Sequence, residues 1–78
     1  MAIELGKQFP NIVTIDEAVM IAFMTPGWRL PTYEEWTEHY DSLKYCWDQS
    51  DINRSDKNVH RGYLRLVRDV PDTGPNNG

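Results

Sequence analysis

The sequence predicts a single small α+β domain over residues 1–70, followed by a disordered tail over residues 71–78. Two capping boxes stand in front of apolar side chains at helical spacing, which predicts two helices. Near the end of the chain, leucines alternate with polar side chains, which predicts a strand. The chain has 78 residues, of which 40% are hydrophobic and 26% charged. This composition excludes collagen-like, coiled-coil and fully disordered proteins.

The first predicted helix starts after Thr14. The Thr14 hydroxyl can accept a hydrogen bond from the backbone of Glu17, whose carboxylate can reach back to the cap. Four apolar residues then follow at the spacing of one buried helix face: Ala18, Val19, Ala22 and Phe23. Pro26 ends the helix, because the residue before a proline avoids the α region. Residues 1–13 are a mixed lead-in, in which 11–13 could extend as a short strand.

A second capping box, formed by Thr32 and Glu35, predicts the next helix, and Pro31 keeps its entry extended. Five large side chains follow at steps of three or four residues, and we interpret them as core: Tyr33, Trp36, Tyr40, Leu43 and Trp47. Three acids fall on the other side of this helix, where we expect them in solvent: Glu34, Glu38 and Asp41.

The second half of the chain combines a polar stretch with a strand. Residues 48–60 show no hydrophobic period, which predicts a long surface loop. Loops of about 12 residues or more in compact domains are often functional. Gly62 opens a predicted strand over residues 63–68, with Leu64 and Leu66 on one face. The tail that follows holds nothing to bury.

Charge and hydropathy limit the partners. Residues 1–53 carry nine acids and three bases, residues 54–78 carry three acids and five bases, and the net charge is −4. An acidic chain has no bulk attraction for nucleic acid, so we expect no nucleic-acid partner. The longest apolar run, residues 18–24, is far below the ~20 residues that a membrane span needs. No basic segment precedes an apolar one at the N-terminus, so we expect no signal peptide.

The residues that could carry chemistry do not assemble into an active site. A Ca²⁺ loop fails because its glycine position falls on Asp56, although a looser oxygen site with Asp48, Asp51 and Asp56 stays open. The single cysteine, Cys46, lies between two aromatic residues, which favours a buried and inert thiol. It cannot form an internal disulfide, which suits a reducing cytoplasm. We therefore expect no enzyme, no cofactor and no metal.

Arg29 stands between Trp28 and Leu30, just before the second capping box. An arginine held among apolar side chains is usually paired and hydrogen-bonded, because its charge cannot be shed. Pairing with Glu34 or Glu35 would fix the turn onto the helix. We favour this structural role over contact with a ligand.

Residues 27–36 (Gly-Trp-Arg-Leu-Pro-Thr-Tyr-Glu-Glu-Trp) resemble the signature of Lcl-type carboxy-terminal domains. They are also similar to the sulfatase-modifying, formylglycine-generating enzymes. The residues that carry this motif are Trp28, Arg29, Pro31, Thr32, Glu35 and Trp36. Residues 14–22 look like the helix before the motif, and 45–50 like a Tyr-Trp-Ser-Ser stretch with Cys46 inserted. Residues 62–68 look like the closing strand.

This resemblance implies a reduced C-type-lectin-like fold, in which two helices pack on a small antiparallel sheet and a long loop is the variable surface. The chain is much shorter than those domains, and the catalytic cysteines of the formylglycine-generating enzymes have no counterpart in it. Enzymatic activity therefore does not carry over. A chain this small with these features looks like a phage or prophage product, acting in the cytoplasm of the bacterial host or in the virion.

The resulting hypothesis is a non-enzymatic binding module that contacts a protein or glycan through the 48–61 loop. The expected contact residues lie in or beside that loop: Trp47, Asp48, Asp51, Asn53, Arg54, His60, Arg61 and Tyr63. The alternative is an intracellular phage inhibitor of a host complex, acting through the acidic helix face of Glu34, Glu38 and Asp41. A third option is a subunit of a larger assembly, including a homo-oligomer, because so small a core gains from a partner.

Overall fold

Two strands and three short α-helices make up the part of the chain that the computed structural model describes, residues 2–53 and 62–71. In chain order these elements are β1 (Ala2–Gln8), α1 (Ile15–Phe23), α2 (Tyr33–Glu38), α3 (Tyr40–Leu43), a 3-10 helix (Gln49–Asn53) and β2 (Arg65–Val70). The predicted α+β class is confirmed. Most of the predicted tail, residues 72–78, lies outside the described residues.

The sheet joins the two ends of the chain. β1 and β2 run antiparallel, with Ala2 opposite Val70 and Leu5 opposite Val67, and the register shifts between Leu5 and Gln8. The sequence placed a strand at residues 11–13, which is wrong, and treated β1 as a lead-in. β1 is a strand because β2, which lies far away in the sequence, supplies its hydrogen-bond partners. A pattern of neighbouring residues cannot predict that pairing.

Helix α1 begins as predicted but buries a narrower face. The Glu17 N–H donates to Thr14 Oγ1 over 3.1 Å, and the Thr14 N–H donates to Glu17 Oε1 over 2.8 Å, so the capping box is confirmed. Ile15 and Ala18 are buried. The expectation that Val19 and Phe23 are core is wrong, since both are exposed. The side of α1 that faces the core carries positions 15, 18 and 22, so it is rotated around the helix axis from the predicted side. No other part of the described chain covers the exposed side of α1.

The core lies between the sheet, α1 and the segment that leads into α2. Nine apolar residues are buried in the described part of the chain: Ile15, Ala18, Leu30, Leu43, Cys46, Trp47, Leu64, Leu66 and Val67. The Trp47 indole Nε1–H donates to the Val13 carbonyl over 2.9 Å. The Trp47 backbone N–H also donates to the Tyr63 carbonyl over 3.1 Å, so Trp47 joins the segment before α1 to the segment before β2 from inside the core.

The predicted aromatic core stripe divides into a buried and an exposed part. Leu43 and Trp47 are buried as expected, but Tyr33 and Tyr40 are 56% and 50% exposed, and Trp36 is half-buried. The expectation that the two tyrosines are core is wrong. The helix breaks at His39 (φ −108°, ψ 38°) into α2 and α3, and α2 has no fully buried residue. One continuous helix would keep these large side chains on one side, but the break at His39 interrupts their row.

The polar stretch after Trp47 is not a solvated loop at its start. Asp48 and Asp51 are fully buried. The Asp48 N–H donates to Asp51 Oδ2 over 2.9 Å, and Asp48 Oδ1 accepts from the Ser50 N–H over 2.8 Å. Gln49 donates to the carbonyls of Pro31 and Leu30. The 3-10 helix is thus packed against residues 30–31 by hydrogen bonds, which a search for hydrophobic periods does not detect.

Candidate functional site

Arg29 holds together the motif, helix α2 and strand β2. Its guanidinium donates to both carboxylate oxygens of Glu35, from Nη1 over 2.8 Å and from Nη2 over 2.9 Å. It also donates to Asp69 on β2, from Nη2 over 2.8 Å and from Nε over 3.3 Å. The predicted pairing with Glu35 is confirmed. Asp69 was not predicted, because a partner forty residues away leaves no local signal.

This network lowers the pKa values of its carboxylates, as is expected for ion pairs. Hydrogen bonds from Arg29 lower the pKa of Glu35 to about 2, and they lower the pKa of Asp69 as well. The backbone of Arg29 exchanges two hydrogen bonds of 2.8 Å with Val67. Arg29 is therefore engaged on every side by the protein itself, which fits the structural role predicted for it.

The other motif residues also serve the fold. Glu35 Oε1 accepts from the Thr32 N–H over 2.9 Å while Thr32 Oγ1 accepts from the Glu35 N–H over 3.1 Å, which confirms the second capping box. Pro31 is fully buried. The Arg68 guanidinium lies 5.0 Å from the centre of the Trp28 ring. Trp36 Nε1–H donates to the Cys46 carbonyl over 3.1 Å.

The structure describes five of the eight residues expected to form a contact surface around the 48–61 loop. Trp47, Asp48 and Asp51 are buried, so the expectation that they meet a partner is wrong. Their side chains serve packing and backbone capping instead. Asn53 is exposed and Tyr63 is half-buried. Three further predicted contacts lie outside the described residues: Arg54, His60 and Arg61.

The alternative surface is present and extends further than predicted. We group the exposed acids with the incompletely covered rings of the same two helices, α2 and α3, and call them together the acidic aromatic face, which comprises Tyr33, Glu34, Trp36, Glu38, Tyr40 and Asp41. The three acids are exposed. The Tyr33 and Trp36 rings are stacked with centroids 6.2 Å apart, and the Trp36 and Tyr40 rings meet edge to face at 5.1 Å. The sequence predicted the acids but assigned the rings to the core.

The described residues contain no other candidate for chemistry. Within residues 2–53 and 62–71, no three His, Cys, Asp or Glu side chains are grouped so that they could hold a metal ion. Asp56, the third member of the looser oxygen site, lies outside these ranges. In the same part of the chain, no helix has the length and apolar character to cross a membrane.

Cys46 is fully buried, as predicted. Burial raises the pKa of its thiol to about 11, against a smaller opposite effect of the Arg65 charge. The nucleophilic thiolate is thus a minor species near neutral pH.

We expect Cys46 to resist alkylation in the native protein. At pH 8 the folded chain should react with iodoacetamide at least about 100-fold more slowly than the chain in concentrated urea, because both thiolate population and access are reduced. Mass spectrometry of timed samples measures both rates. Equal rates in the two conditions would show that the thiol is accessible and that its assignment to the core is wrong.

Comparisons of the chain with protein-family models, with curated proteins and with solved structures find no match. The relation to Lcl-type domains, and with it the C-type-lectin-like form of the fold, stays a prediction from the motif at residues 27–36. The α+β class rests on the helices and the antiparallel sheet themselves. One surface that these elements leave open to solvent is the acidic aromatic face.

Proposed function

We propose that this chain is a non-enzymatic binding module that docks onto a basic surface of another protein through the acidic aromatic face. The observation that carries the proposal is the row of Tyr33, Trp36 and Tyr40, in which Trp36 pairs with the tyrosine on either side and the fold leaves the rings incompletely covered. In the phage setting that the motif at residues 27–36 implies, the partner would be a host protein complex in the bacterial cytoplasm.

Aromatic and acidic groups together favour a basic protein partner. Tyr and Trp are enriched in the centres of protein interfaces, where they supply large contact areas at a small entropic cost. Lys and Arg side chains can lie over such rings as cation–π contacts. Glu34 and Asp41 have no ion-pair partner among the described residues, and Glu38 approaches only His39, at 3.3 Å. Their charge is therefore available to attract a basic partner.

The arrangement of the rings favours a protein over a glycan. A sugar ring stacks best on a flat aromatic platform, but the Trp36 and Tyr40 planes meet at 85°. Such a stepped row fits side chains that project from a protein surface. The burial of Trp47, Asp48 and Asp51 also withdraws three of the eight contact residues expected around the 48–61 loop.

The test is a titration with synthetic peptides that differ only in their number of Lys and Arg residues. Affinity should rise with the number of basic residues and should fall between about 50 mM and about 500 mM salt. Removing two charges with the pair Glu34→Gln and Asp41→Asn should weaken binding at least about 10-fold. The pair Tyr33→Ser and Tyr40→Ser should weaken it as well, although the net charge does not change.

The matched control raises the net charge by the same two units away from this face. Gln8→Lys with Asn11→Lys changes two exposed positions and should leave binding within a few-fold of wild type. If this control weakens binding as much as the Glu34 and Asp41 pair, the effect is one of overall charge and the face is not the site. Binding that is indifferent to peptide charge would refute the proposal.

A further inference from the structure

We infer that the exposed apolar side of α1 is a docking surface for a second copy of this chain, in a two-fold symmetric dimer. This inference does not depend on the proposed function, because it concerns a different surface. We call this surface the α1 apolar face, and it comprises Val19, Met20, Phe23, Met24 and Ile52.

The α1 apolar face is large for a single small domain. Phe23 is 85% exposed, Met24 71% and Met20 58%, and these positions adjoin each other on the helix at steps of three and four residues. Ile52, from the 3-10 helix, is 43% exposed. Residues 18–24 contain no charged side chain. Scattered apolar residues on a surface need no explanation, but a contiguous patch of this kind marks an interaction site.

A groove lies beside the most exposed ring. Phe23 stands at the rim of a groove of about 290 Å³, which is also lined by Val19, Leu30 and Ile52. Two polar side chains that line it, Arg29 and Gln49, already donate hydrogen bonds inside the chain. Arg29 is paired with Glu35 and Asp69, and the Gln49 side chain donates to the Leu30 carbonyl. Covering the groove therefore does not leave the donor groups of Arg29 or Gln49 buried without a hydrogen-bond partner.

A projecting ring and an apolar groove on the same face are self-complementary. In a two-fold dimer the same patch of each copy meets its counterpart, so Phe23 of each copy can enter the groove of the other. The five side chains expose on the order of 500 Å² per copy, and a pair would bury about 1,000 Å², the lower bound for a specific interface.

The composition of the remaining segments argues against a cover from within the chain, and the charge distribution shows at which face two copies can meet. Outside the described residues, position 1 and the segments 54–61 and 72–78 contain only three apolar side chains, Met1, Val59 and Pro75, which are too few to cover this face. The chain carries a net charge of −4, so two copies repel one another across acidic surfaces. The uncharged α1 apolar face is where they can approach with the least repulsion.

Sedimentation equilibrium from roughly 1 to 500 μM protein tests the inference. The mass should rise with concentration from 9.1 kDa toward a plateau at twice that value. Phe23→Glu should raise the dimer dissociation constant at least about 30-fold, as expected for a central interface residue. Higher salt should leave the dimer unchanged or strengthen it, which separates it from peptide binding at the acidic aromatic face.

Tyr45→Glu is the matched control, because it makes a similar change at an aromatic side chain that is 59% exposed and does not line the groove. Circular dichroism should show both variants folded, and Met20→Glu is a second variant on the α1 apolar face. A wild-type chain that stays at 9.1 kDa throughout overturns the inference. Equal dimer dissociation constants for the Phe23 and Tyr45 variants would also overturn it. A mass that rises beyond that of two copies without a plateau would do the same.

Discussion

Replacing Trp47 by alanine should remove a large part of the free energy of unfolding of this protein. The Trp47 side chain is 3% exposed, and its indole N–H donates to the Val13 carbonyl. Losing a buried Trp costs about 3–5 kcal/mol, while a domain of this size is stable by roughly 4–12 kcal/mol. Circular dichroism during urea titration measures the loss. A large decrease supports the role in packing that replaces the contact role predicted from the sequence.

Trp47→Phe is the companion variant, because it keeps an aromatic ring in the core and removes the hydrogen bond to Val13. We expect it to fold, to be less stable than wild type by about 1–3 kcal/mol, and to bind basic peptides as wild type does. If Trp47→Ala were as stable as wild type and had instead lost its binding, Trp47 would be a contact residue and its packing role would be wrong.

The second large effect is expected at Arg29. Arg29→Ala removes the hydrogen bonds that join α2 and β2 and leaves the Glu35 carboxylate, which is mostly buried, without its main partner. Because the network is only partly buried, the cost lies between that of a surface ion pair and that of a buried one, about 2 kcal/mol. Arg29→Lys keeps the charge but not the bidentate hydrogen bonding, so it should lower the free energy of unfolding by about half as much as Arg29→Ala.

The pH dependence of stability identifies the same network. The pKa of Glu35 in the folded chain is lowered from 4.5 to about 2. A group with a lowered folded pKa stabilises the protein above its unfolded pKa and loses that effect as the pH falls through the folded value. Asp69 acts in the same direction. The free energy of unfolding should therefore decrease between about pH 4.5 and about pH 2, and decrease less steeply in Arg29→Ala. Parallel pH profiles for the two proteins would contradict this assignment.

The sequence by itself determined the features that depend on neighbours along the chain. Both capping boxes form as predicted, since a threonine and a glutamate three residues later satisfy each other's backbone groups without help from the rest of the fold. The Arg29–Glu35 ion pair is also local, because its two residues are only six positions apart on either side of the turn into α2. The burial of Cys46 and the closing strand also follow from local composition, although β2 lies two residues later than predicted.

The tertiary structure alone decided which predicted faces are covered and which distant groups meet. Helical spacing places Phe23 and Tyr33 on apolar stripes, but whether a stripe is buried depends on the elements packed against it. The two strands and three short helices of residues 2–53 and 62–71 are too few to cover every stripe. β1 needed β2 as its partner, and Arg29 reached Asp69 only because the sheet brings that residue beside it. The surfaces left uncovered for this reason are the ones we assign to binding.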